Sequence, residues 1–491
     1  MTFEHLNLLA ALPEIALLAA ICAVLLLDIL LPQRYAVSSR TLGLLALIPS
    51  LAATLWQLGS PTEYAFSRMY VADAFGHLLK LCAYIALAAT LIYAGRYTRD
   101  RQMARGEFHV LALFSLLGQM VMISANNLLV VYLGLELMSL SLYALIALRR
   151  DEPVANEAAM KYFVLGALAS GFLLYGMSMI YGGAGSLDHG RIASAFADGQ
   201  ISRTVFTFGV VFIVAGLAFK LGAVPFHMWL PDVYDGSPTA STLLVAAGPK
   251  LAAFAIAFRL LVEALIGVSA DWQQMLMVLA VASLAVGNIV AIAQSSFKRM
   301  LAYSTIGQIA FVLLGLLAGV VDGDTSTAVG AYGSALFYII TYVLTTLGAF
   351  GLVLLLARHG FEADRIEDLK GLNQRSPWMA LVMLIMMFSF AGIPPLMGFY
   401  AKLVVLKALI DVGQVWLAVT AVLFALIGAF YYVRVVKVMY FDVATDPARI
   451  DPEPGARATM ALNGALVLLF GVLPGPLIGA CLEAVRQALG S

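Results

Sequence analysis

Charged residues are scarce in this sequence of 491 residues: Asp, Glu, Lys and Arg make up 12% of it, while apolar residues make up 62%. The charged share is about half that of a soluble globular domain, which excludes soluble enzymes, disordered chains and secreted disulfide scaffolds. The apolar runs are near-continuous rather than alternating, which excludes an outer-membrane barrel as well. The sequence therefore predicts an all-α polytopic membrane protein.

Cysteine is almost absent. Cys22, Cys82 and Cys481 lie far apart in or beside apolar runs, so they suit neither a disulfide framework nor an iron–sulfur cluster. The sequence also lacks histidine pairs spaced for haem, a glycine-rich phosphate loop and a dinucleotide-binding fingerprint. The 29 basic residues balance the 29 acidic ones, so we expect no nucleic-acid partner. We expect no cofactor and no metal in this chain, and any redox chemistry would fall to partner subunits.

The apolar runs that are present predict about fourteen transmembrane helices. They lie near 6–31, 41–58, 74–95, 108–124, 126–148, 154–181, 204–230, 239–265, 272–294, 300–319, 329–357, 377–410, 413–441 and 459–482. The first run is too long for a signal-peptide core, so we expect it to be a retained span.

Lys and Arg are distributed unevenly between the two sets of connectors. Most of them lie in alternate connectors, near 34–40, 96–105, 149–150, 298–299, 358–375 and 434–457. The opposite connectors hold only Arg68, Arg191, Arg203 and Arg486. Because basic loops stay in the cytoplasm, this asymmetry predicts that both termini lie on the periplasmic side.

Two of the runs are too long to cross a membrane as straight helices. Residues 204–230 would extend about 40 Å and residues 377–410 about 50 Å, against a hydrocarbon core of about 30 Å. Each run is interrupted, by Gly222-Ala223-Val224-Pro225 in the first and by Gly392-Ile393-Pro394-Pro395 in the second. Proline removes a backbone donor, so each helix should unwind there. Matched interruptions point to a transport site, with two ordinary proline kinks as the alternative.

The interruptions predict an internal repeat in which Pro225 corresponds to Pro394. Each repeat has five spans, and an odd number means that the second copy is inverted in the membrane. The predicted units are three N-terminal helices in 1–107, a first repeat in 108–265 broken near 222–225, a second repeat in 272–441 broken near 392–395, and a C-terminal helix in 442–491.

Five charged residues fall well inside predicted spans: Glu136, Lys161, Lys220, Lys250 and Lys402. A charge at a helix centre costs about 2.5–3.5 kcal/mol on insertion scales, so all five must be paired, hydrated or neutral. Glu136 and Lys161 lie at comparable depths on neighbouring antiparallel spans, which predicts an ion pair between them. A buried lysine can also release its proton, because desolvation disfavours its charged form. The five residues therefore predict a proton relay.

Helix–helix salt bridges and snorkelling side chains are the structural alternative. We favour that alternative for four residues that lie nearer span ends or are unpaired in sequence: Lys80, Arg259, Lys407 and Arg434. His227 lies at the first interruption and titrates near neutral pH. Both a relay role and a hydrogen bond to the helix break stay open for it.

The segment VPFHMWLPDVYDGSPT, residues 224–239, together with GLEL around Glu136 and GPK at Lys250, resembles the antiporter-like membrane subunits of respiratory complex I. These are relatives of the subunits of multisubunit cation/proton antiporters. The resemblance covers essentially the whole chain. It places the family's charged residues on Glu136, Lys161, Lys220, Lys250 and Lys402. Two features argue against particular homologues within the family. One homologue would have glutamate at the position of Lys402. Another has a long lateral helix after its last span, where this sequence ends.

The resemblance implies a proton-translocating subunit of the bacterial inner membrane, with proton entry through the first repeat and exit through the second. It implies that FMN, iron–sulfur clusters, NADH and quinone are held by partner subunits. The expected partners are the other complex I subunits, especially the neighbouring antiporter-like and small membrane subunits, together with membrane lipids. Two alternatives stay open: a subunit of a multisubunit Na⁺/H⁺ antiporter, and a structural membrane subunit without a working relay.

Overall fold

The computed structural model describes residues 6–30, 39–103, 106–197, 203–321, 323–444, 450 and 452–490. Most of the described chain is helical, since a helix satisfies its backbone hydrogen bonds internally and needs no water to do so. Arg34, Arg105 and Arg449, which contribute to the charge asymmetry, lie outside the described residues.

The N-terminal part consists of four helices and a hairpin. Its elements are α1 (Leu12–Leu30), α2 (Ser39–Leu45), α3 (Leu47–Gln57), β1 (Glu63–Ala65), β2 (Tyr70–Ala72) and α4 (Ala74–Asp100). The strands are antiparallel, with Tyr64 opposite Val71. Asp73 accepts a hydrogen bond of 2.8 Å from the Gly76 amide and so caps α4. The sequence analysis did not predict this hairpin.

The part that carries the first predicted repeat contains the first break. Its elements are α5 (Gly106–Ile123), α6 (Leu128–Ile146), α7 (Pro153–Ala184), α8 (His189–Ala197), α9 (Arg203–Leu221), α10 (Trp229–Gly236), α11 (Thr239–Ala246), α12 (Gly248–Phe258) and a π-helix (Arg259–Ala264). A further interruption, at Ala247, separates α11 from α12. The sequence analysis treated 239–265 as continuous, although Gly248-Pro249 could have signalled the interruption.

The remaining elements contain the second break and the C-terminal helices. They are 3₁₀ turns at Ile266–Val268 and Ile366–Leu369, and α13 (Ser269–Ile292), α14 (Phe297–Leu317), α15 (Ala328–Leu356), α16 (Leu372–Arg375), α17 (Pro377–Ala391), α18 (Met397–Asp411), α19 (Val415–Phe441), α20 (Pro454–Val472) and α21 (Gly475–Ala488). The last predicted span, 459–482, is thus two helices that meet at Leu473-Pro474.

The predicted fold class is confirmed. Among the described residues, thirteen segments are long and apolar enough to cross a membrane, and the shorter apolar helix α17 continues through the second break into α18. Small residues allow close packing: a Cβ on Gly118 would overlap the backbone of Met138, and one on Gly287 would overlap the backbone of Gly307. The deepest segments are α11, α12, α14 and α15, and this central position of α12 is what buries Lys250.

A buried ion pair fastens α1 to α4. Lys80 lies 2.7 Å from a Glu14 carboxylate oxygen, and its Nζ donates a hydrogen bond of 2.8 Å to the Tyr70 hydroxyl. That hydroxyl donates in turn to Glu14 at 2.7 Å. The structural interpretation of Lys80 is therefore confirmed. Arg434 is likewise structural, since it donates to the carbonyl oxygens of Ile292 and Gln294 at the end of α13.

We expect Lys80→Met to lower the stability of the chain by about 3–5 kcal/mol, because Glu14 would remain buried without its counter-charge. Thermal unfolding of the purified protein in detergent measures the loss. The double variant Glu14→Gln, Lys80→Met should recover most of it, since no buried charge remains. Lys407→Met on the exposed face of α18 is the control. Equal melting temperatures for the two lysine variants would contradict a stabilising role for the pair.

Candidate functional site

The first break exposes two carbonyl groups that a lysine then binds. The amides of Gly222 and Ala223 both donate to Ala218 at 2.8 Å, which ends α9 and leaves the carbonyls of Lys220 and Leu221 free. Gly222 adopts a φ of 85°, a left-handed conformation typical of glycine at helix ends. The Nζ of Lys250 donates to both carbonyl oxygens, at 3.2 Å to Lys220 and 2.9 Å to Leu221.

The second break repeats this arrangement. The amides of Gly392 and Ile393 both donate to Phe388, and Gly392 has a φ of 84°. The Nζ of Lys402 donates to the carbonyl of Phe390 at 2.7 Å and to that of Ala391 at 3.0 Å. These carbonyls correspond to those of Lys220 and Leu221 in the first break.

The two breaks align through their glycines, Gly222 with Gly392, so Pro225 corresponds to Pro395. The predicted pairing of Pro225 with Pro394 is therefore wrong by one residue. In both breaks a lysine ammonium lies at the carbonyl end of a half-helix, where the helix dipole favours positive charge. Lys250 reaches its break from the following helix, whereas Lys402 belongs to the second half of its own broken helix. The domain boundaries and the inversion of the second repeat stay predictions.

Lys220 is buried and contacts α6. Its Nζ donates a hydrogen bond of 2.8 Å to the hydroxyl of Ser139. Glu136, one turn earlier on α6, is close enough to attract Lys220 electrostatically. The Oε1 atom of Glu136 is buried and has no hydrogen-bond partner among the described residues. Glu136, which the sequence analysis paired with Lys161, is thus the carboxylate nearest in charge interaction to Lys220.

The predicted ion pair between Glu136 and Lys161 is wrong. The Nζ of Lys161 lies 2.8 Å from Asp232 and 2.9 Å from Glu157, and the Lys161 side chain is 43% exposed. The two residues do lie on neighbouring helices, but Tyr162 occupies the face of α7 that meets α6, with its ring 4.7 Å from that of Tyr143. Successive helical residues point about 100° apart, so Lys161 faces away from α6.

Asp232 joins the two halves of the molecule, and the sequence analysis missed it. One carboxylate oxygen binds Lys161 and the other lies 2.8 Å from Arg299 in the first turn of α14. The sequence did offer a signal for Asp232, because this carboxylate directly follows Pro231, just after the break.

His227 lies in the break itself and is half-buried. Its Nδ1 has no hydrogen-bond partner among the described residues, so both interpretations of His227 stay open.

Comparison with known proteins identifies the family. Residues 125–428 match the family model described as NADH:quinone oxidoreductase/Mrp antiporter, TM. NADH-quinone oxidoreductase subunit N of Herminiimonas arsenicoxydans is 59% identical over 494 residues, which cover 99% of this chain and 100% of that protein. This chain belongs to the NADH-quinone oxidoreductase subunit N family. The family resemblance stated from the sequence is confirmed.

Solved structures agree with membership of the subunit N family. A chain of respiratory complex I from Thermus thermophilus with bound aureothin has a TM-score of 0.81 and 32% identity, over 96% of this chain and 99% of that chain. A chain of the Mrp complex from Dietzia sp. DQ12-45-1b has a TM-score of 0.84, over 99% of this chain and 98% of that chain. Its identity is 20%, so it shows a shared fold alone.

In this member of the subunit N family, Lys402 belongs to a hydrogen-bonded group that connects α18 with α14, α15 and α19. The Nε2 of Gln308 donates to the Phe390 carbonyl at 3.0 Å, the same carbonyl that Lys402 binds. Gln308 also donates to the Tyr432 hydroxyl at 2.9 Å and accepts a hydrogen bond from the Tyr338 hydroxyl. The sequence analysis missed these three residues, although an amide inside an apolar helix was a usable signal.

We expect a double-mutant cycle to couple Lys161 to Asp232 and not to Glu136, because Lys161 contacts the Asp232 carboxylate and is not paired with Glu136 in the described structure. The variants are Lys161→Gln with Asp232→Asn, and Lys161→Gln with Glu136→Gln. Because the contact is partly exposed, we expect a coupling of about 0.5–1 kcal/mol, about two- to fivefold in proton-pumping rate. If the effects of Lys161→Gln and Asp232→Asn on the pumping rate were strictly additive, the contact between the two residues would not contribute to pumping.

Proposed function

We propose that this chain is a proton-translocating membrane subunit of bacterial NADH:quinone oxidoreductase. Electron transfer from NADH to quinone would take place in partner subunits, which would hold the FMN, the iron–sulfur clusters and the substrates. The observation that carries the proposal is the pair of buried lysines, Lys250 and Lys402, bound to the free carbonyls of two matching helix breaks. The names of the relatives support it.

The contacts of these lysines suit proton exchange. Lys220, Lys250 and Lys402 donate to carbonyl and hydroxyl oxygens, which are neutral. When Lys250 or Lys402 releases its proton, no hydrogen-bond partner is left as an unpaired buried charge, so the cost of neutralisation is small compared with that for a salt-bridged lysine. Broken helices also provide backbone groups that can hold water where a continuous helix could not.

Electrostatic coupling would connect the sites along the row. Lys220 and Lys250 are close enough to repel each other, while Glu136 attracts Lys220. At an effective dielectric constant of about 20, two charges about 10 Å apart interact by roughly 1.7 kcal/mol, which is a little over one pKa unit. Movement of one proton would thus change the proton affinity of the neighbouring site.

The direction of transport follows from the proposed orientation. The Lys and Arg distribution supports termini on the periplasmic side of the inner membrane. In that orientation Pro377 lies at the cytoplasmic end of α17, and the residues after the second break lie in the outer half. Protons would enter through the first repeat and leave past Lys402. The neighbouring antiporter-like and small membrane subunits of complex I are the proposed partners.

We expect Lys250→Ala to leave the complex assembled and to lower quinone-coupled proton pumping at least about tenfold, because a proton-transfer group would be lost. Lys250→Arg should also impair pumping, since arginine retains its proton. The measurement is NADH-driven acidification of vesicles, with Lys407→Ala as the exposed control. Wild-type pumping in an intact Lys250→Ala complex would favour a structural subunit without a relay.

Lys402 should act as the gate towards the outer aqueous phase. We expect Lys402→Ala to slow proton release more than proton uptake, and Lys402→Glu to retain partial activity because a carboxylate also exchanges protons. Replacing both Pro394 and Pro395 with alanine should straighten the helix, dry the site and reproduce the loss of Lys402. Time-resolved pH indicators on the two membrane sides separate the steps. Equal slowing of uptake and release in Lys402→Ala would contradict the gate.

A further inference from the structure

A cavity of about 350 Å³ opens at the membrane face that carries the β-hairpin. The hairpin, α8, the π-helix after α12 and the end of α21 enclose it. Its charged and titratable lining residues are Tyr64, Arg68, Asp73, His189, Arg259 and Glu263. Arg259 comes nine residues after Lys250 on one nearly continuous helix, about 13 Å further along it.

An aromatic cluster lies between the cavity and the row of lysines. The ring of Phe75 stacks on Phe258 with centroids 4.6 Å apart and lies 6.2 Å from that of Phe254. The guanidinium carbon of Arg259 lies 5.3 Å from the centre of the Phe75 ring, on the cavity side. The cavity is therefore a separate polar compartment.

Two carboxylates share one buried guanidinium in this cavity. Arg259 donates through Nη2 to both oxygens of Asp73, at 2.9 and 3.0 Å, and through Nη1 to Glu263 at 3.0 Å. Its Nε donates to the Ile123 carbonyl at 2.7 Å. Arg68 is largely exposed and lies 4.0 Å from Asp188. The group of two acids and one base thus has one excess negative charge, which is costly at a buried site unless a proton binds.

The hydrogen bonds identify the carboxylate that would bind this proton. Asp73 accepts two hydrogen bonds from Arg259 and a third from the Gly76 amide, all of which favour its ionised form. Among the described residues, Glu263 accepts one hydrogen bond, from Arg259. The Glu263 side chain is also more exposed than that of Asp73, at 18% against 3%. Glu263 is therefore the proton acceptor.

An unpartnered histidine indicates that the cavity holds water. His189 is 1% exposed, and neither ring nitrogen has a hydrogen-bond partner among the described residues. Burial and the nearby Arg259 charge lower the pKa of His189 to about 3, so the ring is neutral, with one donor and one acceptor. Buried polar groups of this kind are normally satisfied by ordered water, and the cavity has room for several molecules.

We propose that this cavity is a hydrated proton-binding site in which Glu263 takes up a proton from water on the hairpin side and releases it there. On uptake, a hydronium ion gives its proton to the carboxylate and becomes water; on release, the O–H bond breaks and the proton returns to water. Arg259 holds the carboxylate in place, and His189 binds the water. The site lies outside the row of lysines and goes beyond the proposed function.

Infrared difference spectroscopy of the intact complex tests the proposal, because a protonated carboxyl group has its own carbonyl stretching band. We expect a band that changes with pH, shifts when H₂O is replaced with D₂O, and is lost in Glu263→Gln. Glu263→Asp should keep a titrating band. Glu483→Gln, a solvent-exposed carboxylate on α21 paired with Arg486, is the matched control and should leave the band unchanged.

A band that persists in Glu263→Gln, or a carboxyl group that does not exchange with D₂O, would overturn the proposal. If Glu263→Gln does not assemble, the more conservative Glu263→Asp variant is measured instead. Loss of the titrating band in Glu263→Asp would also overturn the proposal. The spectrum does not depend on pumping. Failure of this site is therefore distinguishable from failure of the proposed function, which the Lys250→Ala pumping measurement tests.

Discussion

The structure depends on one constraint: a backbone carbonyl that is freed inside a membrane must find a hydrogen-bond donor, because the hydrocarbon core offers none. Each of the two long helices ends midway at a glycine, Gly222 or Gly392, and frees two carbonyls there. A lysine ammonium supplies the missing donors in both places. Each break therefore stabilises its lysine and each lysine stabilises its break. Free carbonyls without a donor, or a buried ammonium without oxygen partners, would cost folding free energy.

The buried charges fall into two classes with different consequences. Lys80 and Arg259 are paired with carboxylates, so neutralising either partner would leave an uncompensated charge. Lys250 and Lys402 bind neutral oxygens, so their charge can change without that penalty. This difference separates residues that fasten helices together from residues suited to carry protons. Glu263 belongs to neither class, because it shares the single base Arg259 with a second acid, Asp73.

The two breaks share one interaction, although the lysines that make it occupy different positions relative to the break. The carbonyl pairs correspond, but their lysines come from different helices. Aligning lysines along the sequence would therefore miss the common arrangement. The partners of Asp232 and Gln308 do not follow from sequence spacing either, since Asp232 binds Lys161 on α7 and Gln308 donates to the Phe390 carbonyl of the second broken helix.

The sequence by itself determined the helical class, the approximate number of spans, the two interruptions and the burial of Lys220, Lys250 and Lys402, because hydrophobic length and the cost of a buried charge are properties of the local chain. It did not determine the partners. Whether Lys161 meets Glu136 or Asp232 depends on which face of α7 packs against α6, and Tyr162 occupies that face. The carbonyls that Lys250 and Lys402 bind were likewise decided only by tertiary structure, since helix rotation and close packing select which groups meet.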